Sequence, residues 1–345
     1  MVVSDVLADA ECEQLLLVRD RASRATFLVA LHDTRQGPAH GGIRRSPYPD
    51  LEAAARDVVQ LARAMTWKCA LAEVPAGGGK CVLLDHPGLD RVQAYRAIGR
   101  TVAQLGGRFY TGPDVGTTDA DLREVATETK CVAVPAAASA EGPGDLAEAT
   151  ATGVHAALRA LAERLGRSID GMQVLIQGLG ATGARLAKHL AQDGARLLVS
   201  DVRADAVAAV VAATGAQAIA PERVLTTPCD VFAPCALGGV LTIPAARTLP
   251  ALGVCGSANN VFAEPAAAHE LHRRGVLAVP DFVANAGALI QGATWHLTGV
   301  RVDEARLQRI GATTGELLDR ARAQRVPPIE LALELAQERL HRRGA

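Results

Sequence analysis

The chain has 345 residues, 49% hydrophobic and 21% charged, with 36 basic against 37 acidic side chains and a formal net charge of -1. That length exceeds one ordinary domain and that composition can fill buried cores, which excludes a disordered chain and sets a prior of two lobes. No long run of one charge sign and no uncharged apolar stretch of about 20 residues occurs, so neither nucleic acid nor a membrane is expected as a partner. Met1 to Ala10 lacks the basic start and apolar core of a secretory signal. Seven scattered cysteines (Cys12, Cys69, Cys81, Cys131, Cys229, Cys235, Cys255) form no Cys-x-x-Cys pair and no zinc-ligand spacing. The expectation is a cytoplasmic enzyme with reduced thiols and no metal.

In chain order, alternation predicts strands at Gln14–Arg19 and Thr26–Leu31 about a polar Asp20–Arg24 turn. Leu51, Ala54, Val58, Leu61, Ala62 and Met65 recur at helical spacing, so Leu51–Met65 reads as a helix that ends around Met65–Lys68. Pro75–Lys80 reads as a glycine loop before a Lys80–Leu84 strand. It is not a P-loop, because Val74 stands where the first glycine belongs and Cys81 replaces Ser or Thr. The apolar run after Lys80 gives that lysine partly buried surroundings, although a solvated loop lysine is the plainer alternative. Arg91–Leu105 is a second amphipathic helix, Gly112–Thr117 follows an aromatic strand, and Asp119–Glu128 is helical with Thr118 or Asp119 as N-cap. Pro135–Gly144, built of Ala, Ser, Pro and Gly, reads as a linker.

Beyond the linker a long helix, Ala147–Leu165, precedes a regular alternation: Gln173–Gln177, Ala181–Asp193, Arg196–Ser200, Ala204–Thr214, Val231–Ala233 and Gly253–Cys255. Such alternation predicts a parallel sheet with helices on both faces. The last helices, near Glu304–Gln324 and Pro328–Arg343, are expected to cross back and pack on the first lobe. The strand at Val174 runs into Gly178-Leu-Gly180-Ala-Thr-Gly183 and then a helix, and the next strand ends at Asp201, 23 residues after Gly178. Gly178 suits the tight turn, Gly180 the approach of a pyrophosphate, and Gly183 the helix–strand contact, while Asp201 suits the adenosine ribose hydroxyls and repels a 2′-phosphate. NAD is therefore the expected cofactor. Arg203, two residues on, leaves some NADP use open.

Further segments occur in order: Gly37-Pro38-Ala39-His40-Gly41-Gly42, Met65–Lys68, Gly77–Lys80, Asp114-Val115-Gly116-Thr117 and Thr150-Ala151-x-Gly153. They continue through Cys229–Gly239, Gly256-Ser257-Ala258-Asn259-Asn260 and Asn285-Ala286-Gly287. With these the chain resembles the leucine, phenylalanine and valine dehydrogenase family, within the wider glutamate dehydrogenase superfamily. The resemblance implies an α/β fold of two lobes with an active-site cleft between them. Residues 1–135 would form the substrate and oligomerisation domain, with a C-terminal helix, 326–345, packing back on it. Residues 145–325 would form the Rossmann-like, doubly wound NAD-binding domain. It implies NAD-dependent oxidative deamination of an L-amino acid to its 2-oxo acid and ammonia, the reverse amination, and a homo-oligomer.

By the same resemblance Lys80 is the general acid or base for water at the imino carbon, a task that requires its pKa to fall toward neutrality. Asp114 moves a proton to and from nitrogen. Lys68 anchors the α-carboxylate with the backbone at Gly41 and Gly42, and Met65, His40 and Asn285 complete the substrate site. Thr150, Ala236, Asn259 and Asn285 join Gly178, Gly180, Gly183 and Asp201 around the cofactor. The chain departs from the family pattern at His40, usually apolar, at Pro113, usually acidic, and at Glu73, usually Gly. Ala147-Glu148-Ala149 replaces Ser-Pro-Val, and Ala288 replaces a second Gly. These departures leave two alternatives: the same chemistry on a non-standard aryl or polar amino acid of specialised metabolism, or a catalytically idle NAD-binding protein.

Overall fold

The computed structural model describes residues 12–134 and 142–343, so most of the Pro135–Gly144 linker lies outside the described residues. Contacts divide the chain into two units. The first runs to Asp145 and takes in Leu289–Arg301 and the chain from Ala336; the second is Leu146–Ala288 with Val302–Leu335.

In the first unit β1 (Gln14–Asp20) and β2 (Ala25–Asp33) form an antiparallel hairpin, Gln14 opposite Leu31 and Asp20 opposite Ala25. Asp20 closes its turn by accepting the Ser23 N–H at 2.8 Å. After β3 (Ala39–His40) and β4 (Ile43–Ser46) comes α1 (Leu51–Leu71), whose first turn is capped by Asp50 accepting the Ala53 N–H. Such a cap stabilises by about 1 kcal/mol. Then follow β5 (Gly77–Leu84), α2 (Arg91–Gln104), β6 (Phe109–Tyr110) and α3 (Asp119–Ala126), the last opened by a capping box between Thr118 and Asp121. The sheet order is β1-β2-β5-β3-β6, with β4 also on β5.

Strand alternation sorts β5 between two cores. Cys81 and Leu83 face Phe27, Val29, Tyr95, Ile98 and Leu122 below α2 and α3, while Val82 joins Leu28 and Ala30 beneath Ala54, Val58 and Ala62 of α1. Two sequence readings change here. Helix α1 continues past Met65 and Lys68 to Leu71, because Thr66 and Cys69 are buried and extend its apolar stripe. The segment read as a loop before Lys80 is strand from Gly77 onward. Its glycines are packed rather than loose: a Cβ on Gly78 would stand 2.2 Å from Thr66 N, and one on Gly79 2.9 Å from the Phe109 ring.

The second unit opens with α4 (Leu146–Arg164), then β7 (Gln173–Gln177), α5 (Ala181–Gln192), β8 (Arg196–Ser200), α6 (Ala204–Thr214) and β9 (Gln217–Ala218). After a short 3-10 turn come β10 (Val231–Pro234), α7 (Ile243–Thr248), β11 (Gly253–Val254), α8 (Pro265–Arg273), β12 (Leu277–Ala278) and α9 (Asp281–Ala284). Helices α10 (Gly287–Thr298), α11 (Glu304–Gln324) and α12 (Pro328–Arg343) complete the chain. The sheet is parallel throughout, ordered β12-β11-β10-β7-β8-β9. Strand order therefore reverses at β7, the crevice where doubly wound sheets bind ligands. Helix α11 stays with the second unit, against the expectation that it would cross back to the first: it packs on α4, where a Cβ on Gly153 would meet Ile310 at 2.5 Å and Arg164 bonds Asp319 at 2.8 Å.

Candidate active site

In the first unit, residues that share a face of the sheet can be read from register. Lys80 pairs with Ala30 and Arg44 with Val82, so both side chains leave on the α1 side. There the buried Lys80 Nζ lies 2.6 Å from Asp114 Oδ2, and Arg44 Nε lies 3.4 Å from the same oxygen. Burial pushes the Asp114 carboxyl up, but the charges of Lys80 and Arg44 pull it down further, so it is held below the usual carboxylate range. Arg44 also bonds Asp57 of α1 at 3.2 Å, and Asp57 accepts the Tyr48 hydroxyl at 2.5 Å. The result is a chain of alternating charge, Lys80–Asp114–Arg44–Asp57, buried at its Lys80–Asp114 end and half-buried at the other. Sequence reasoning named Lys80 and Asp114 and missed Arg44.

Of the other predicted residues of this unit, Gly41 and Gly42 pack against the Lys80 strand and the Asp114 loop. Lys68 and Met65 stand one helical turn apart on the last turns of α1, both half-buried. Gly41 and Gly42 have a packing reason beside any binding role. A Cβ on Gly41 would stand 1.7 Å from Gly79 O, and one on Gly42 would stand 2.3 Å from Pro113 O and 2.9 Å from the Asp114 Cβ. Gly42 thus lets the Asp114 loop close on the strand. His40 pairs with Gly78 on one side and Tyr110 on the other, so its ring also leaves on the α1 side, stacked on Tyr110.

In the second unit the glycine turn has the geometry the motif requires. Gly178 has φ +96, and a Cβ there would strike Ala236 at 2.7 Å. Gly183 allows the Gly178 carbonyl to approach a would-be Cβ at 2.0 Å. Nothing lies within 4 Å of the Cβ position at Gly180, the residue that caps α5, so open space is kept at the helix N-terminus. Asp201, at the end of β8, accepts the Leu179 N–H at 2.6 Å and the Arg203 N–H at 2.9 Å, which fixes its carboxylate beside the turn. Burial raises the Asp201 carboxyl, but these two N–H groups and the Arg203 charge outweigh it and hold it low.

Two more predicted residues, Asn285 and Asn259, meet directly. Asn285 Nδ2 donates to Asn259 Oδ1 at 2.7 Å and to Ser257 O at 3.2 Å, leaving its own Oδ1 buried without a hydrogen-bond partner among the described residues. The Thr150 hydroxyl donates to Leu146 O at 3.0 Å and accepts the Ala288 N–H at 3.2 Å, tying α4 to the start of α10. Ala236 follows β10 and lies against Gly178.

A parallel doubly wound unit with a dinucleotide turn, in one chain with a unit that buries a lysine–aspartate pair, is the make-up of a dehydrogenase. Family comparison names which. The model described as "Glu/Leu/Phe/Val dehydrogenase, dimerisation domain" matches residues 19–131, and "Glutamate/Leucine/Phenylalanine/Valine dehydrogenase" matches 142–209 and 198–294. The chain is 37% identical to a leucine dehydrogenase of Geobacillus stearothermophilus over 95% of its length and 90% of the relative's. It is 38% identical to a valine dehydrogenase of Streptomyces virginiae over 95% and 93%. The crystal structure of L-tryptophan dehydrogenase from Nostoc punctiforme superposes with a TM-score of 0.85 at 34% identity, covering 100% of both chains. The chain belongs to the Glu/Leu/Phe/Val dehydrogenase family. It is accordingly an amino acid dehydrogenase, an oxidoreductase acting on the CH–NH2 group.

Proposed function

We propose that the chain is an NAD-dependent L-amino acid dehydrogenase in which Lys80 and Asp114 carry the proton transfers, and that it works as a homo-oligomer. The buried Lys80–Asp114 pair is the observation that carries the reading. NAD suits the open space at Gly180 and the carboxylate of Asp201, and when bound it supplies the acceptor for the Cα hydride. Loss of that hydride and of one nitrogen proton leaves an imine carbon, which water attacks to give the 2-oxo acid and ammonia. Asp114, held ionised, takes the proton from nitrogen and returns it to the leaving ammonia. Lys80 first gives up its ammonium proton to solvent, and as the neutral amine it orients the water and receives the water's proton. Lys68 holds the α-carboxylate as a point-charge donor, with the backbone at Gly41 and Gly42. Asn285, steadied by Asn259, presents its free carboxamide oxygen toward substrate or nicotinamide ribose, with Thr150 and Ala236 at the nicotinamide.

The test is a panel of aliphatic, aromatic and polar 2-oxo acids with ammonia and either NADH or NADPH. Reductant consumption with NADH preferred is expected, because a 2′-phosphate beside Asp201 sets like charges together. Lys80→Ala should lower turnover by about 10²–10⁴-fold, the range for a lost general acid–base, while NADH still binds. A folded protein that binds NADH yet turns over no 2-oxo acid overturns the proposal and favours an idle NAD-binding role.

A further inference from the structure

Three rings meet on the α1 side of the first sheet. His40 and Tyr110 stack with centroids 5.1 Å apart and planes 8° from parallel. His296, on α10, lies 5.6 Å from His40 and 4.7 Å from Tyr110. Lys80 leaves the same face two residues along β5 from Gly78, the register partner of His40. One such step is about 7 Å, short enough for both side chains to border one bound amino acid.

The His40 tautomer is fixed by its neighbour. Nδ1 lies 2.9 Å from Pro38 O, and a carbonyl can only accept, so Nδ1 carries the hydrogen. Burial, outweighing the Pro38 contact, brings the ring down to about 4, so it is neutral near pH 7. Nε2 is then a bare lone pair. It is buried and meets no donor among the described residues, an arrangement that penalises any ligand unable to supply one. An aliphatic side chain supplies none, and a carboxylate would face a lone pair. A flat ring can lie along the aromatic group and point a hydrogen at Nε2.

We propose that His40 Nε2 accepts a hydrogen bond from the substrate side chain, and that the substrate is an aromatic amino acid whose ring bears an N–H or O–H donor, an indole or a phenol. This rests on the dehydrogenase reading above, and the experiment separates the two. Reductive amination rates are compared within two matched pairs: indole-3-pyruvate against 1-methylindole-3-pyruvate, and 4-hydroxyphenylpyruvate against phenylpyruvate. In at least one pair the donor-bearing acid is expected to have a kcat/KM about tenfold higher or more, equivalent to about 1.4 kcal/mol. His40→Phe, which keeps a ring and removes the acceptor, should bring that ratio to within about twofold of one. Ratios near one in both pairs for the unsubstituted enzyme overturn the proposal whether or not the variant folds, and so does a ratio that survives His40→Phe. Brisk turnover of aliphatic acids with no donor preference overturns this assignment alone. No turnover of any 2-oxo acid sinks the dehydrogenase reading and this proposal with it.

Discussion

At Asp114 a carboxylate is held between two cations, Lys80 Nζ at 2.6 Å and Arg44 Nε at 3.4 Å, with Asp57 steadying Arg44 from α1. Arg44→Met removes one of the charges that hold Asp114 low and leaves its burial unchanged, so the Asp114 pKa must rise. The acidic limb of the kcat/KM profile should then move to higher pH by about one unit, with Arg44→Lys partly restoring it. Stability follows the same sign. A depressed carboxylate contributes stability above its unfolded pKa of about 3.9, and that contribution is lost as pH falls through the folded value. The loss should come at higher pH in Arg44→Met. An acidic limb that stays in place would show that Arg44 does not set the charge of Asp114. Nothing local in the sequence marks Arg44. Its partners lie 13 positions away at Asp57 and 70 away at Asp114, and only the pairing of β4 with β5 brings them together. Lys80 and Asp114, which the structure does bring together, each sit in an ordered motif, Gly77–Lys80 and Asp114–Thr117.

Helix and strand boundaries failed where glycine or polar residues do the packing. Gly77-Gly78-Gly79 has the composition of a loop, yet it forms the start of β5, because the missing side chains let α1 and Phe109 close on the strand. The same contacts explain why α1 runs on to Leu71, since Thr66 is the residue that meets Gly78. Four of the six parallel strands of the second unit were legible, because buried parallel strands are short apolar runs that alternate with helices, whereas the two-residue edge strands β9 and β12 carry too few residues to show a pattern. Two glycines of equal appearance in sequence should therefore respond differently to alanine. Gly78→Ala places a Cβ 2.2 Å from Thr66 N and 2.3 Å from Ala62 O, both backbone atoms of a helix that cannot yield singly. It should destabilise by about 3 kcal/mol, a Tm drop of roughly 5–10 °C. Gly180→Ala meets nothing within 4 Å, so its Tm should hold while NADH affinity falls, because the methyl enters the space left for the pyrophosphate. Thermal melts with and without NADH separate the two outcomes. A Gly78→Ala protein that melts with the parent would show that α1 and β5 are not in close contact.

The whole molecule carries almost no net charge, -1 over 345 residues, and so has little electrostatic resistance to self-association. Among the described residues, one edge strand of its first unit has no strand paired on its outer side. β1 is an edge of the mixed sheet, seven residues long, with the consecutive apolar run Leu15-Leu16-Leu17-Val18. Leu16 and Val18 pack toward one core and Leu15 toward the other, which leaves Leu17 52% exposed. A long apolar edge of this kind is a template for pairing with another strand, and monomeric proteins usually blunt it with charge, proline or a bulge inside the run. The charged residues of β1, Arg19 and Asp20, stand only at its turn end, and its register with β2 is unbroken. A second copy of the same strand, related by a two-fold axis, would satisfy the open backbone groups and cover Leu17 in one contact. Light scattering on the purified chain should therefore give at least about twice the 35.8 kDa of one chain. Leu17→Arg, which puts a charge at the centre of the proposed contact, should shift the population toward lower mass without lowering the NADH affinity of the second unit. A monomeric parent protein would overturn the assembly. An oligomer whose mass ignores Leu17→Arg would place the contact on a surface other than the β1 edge.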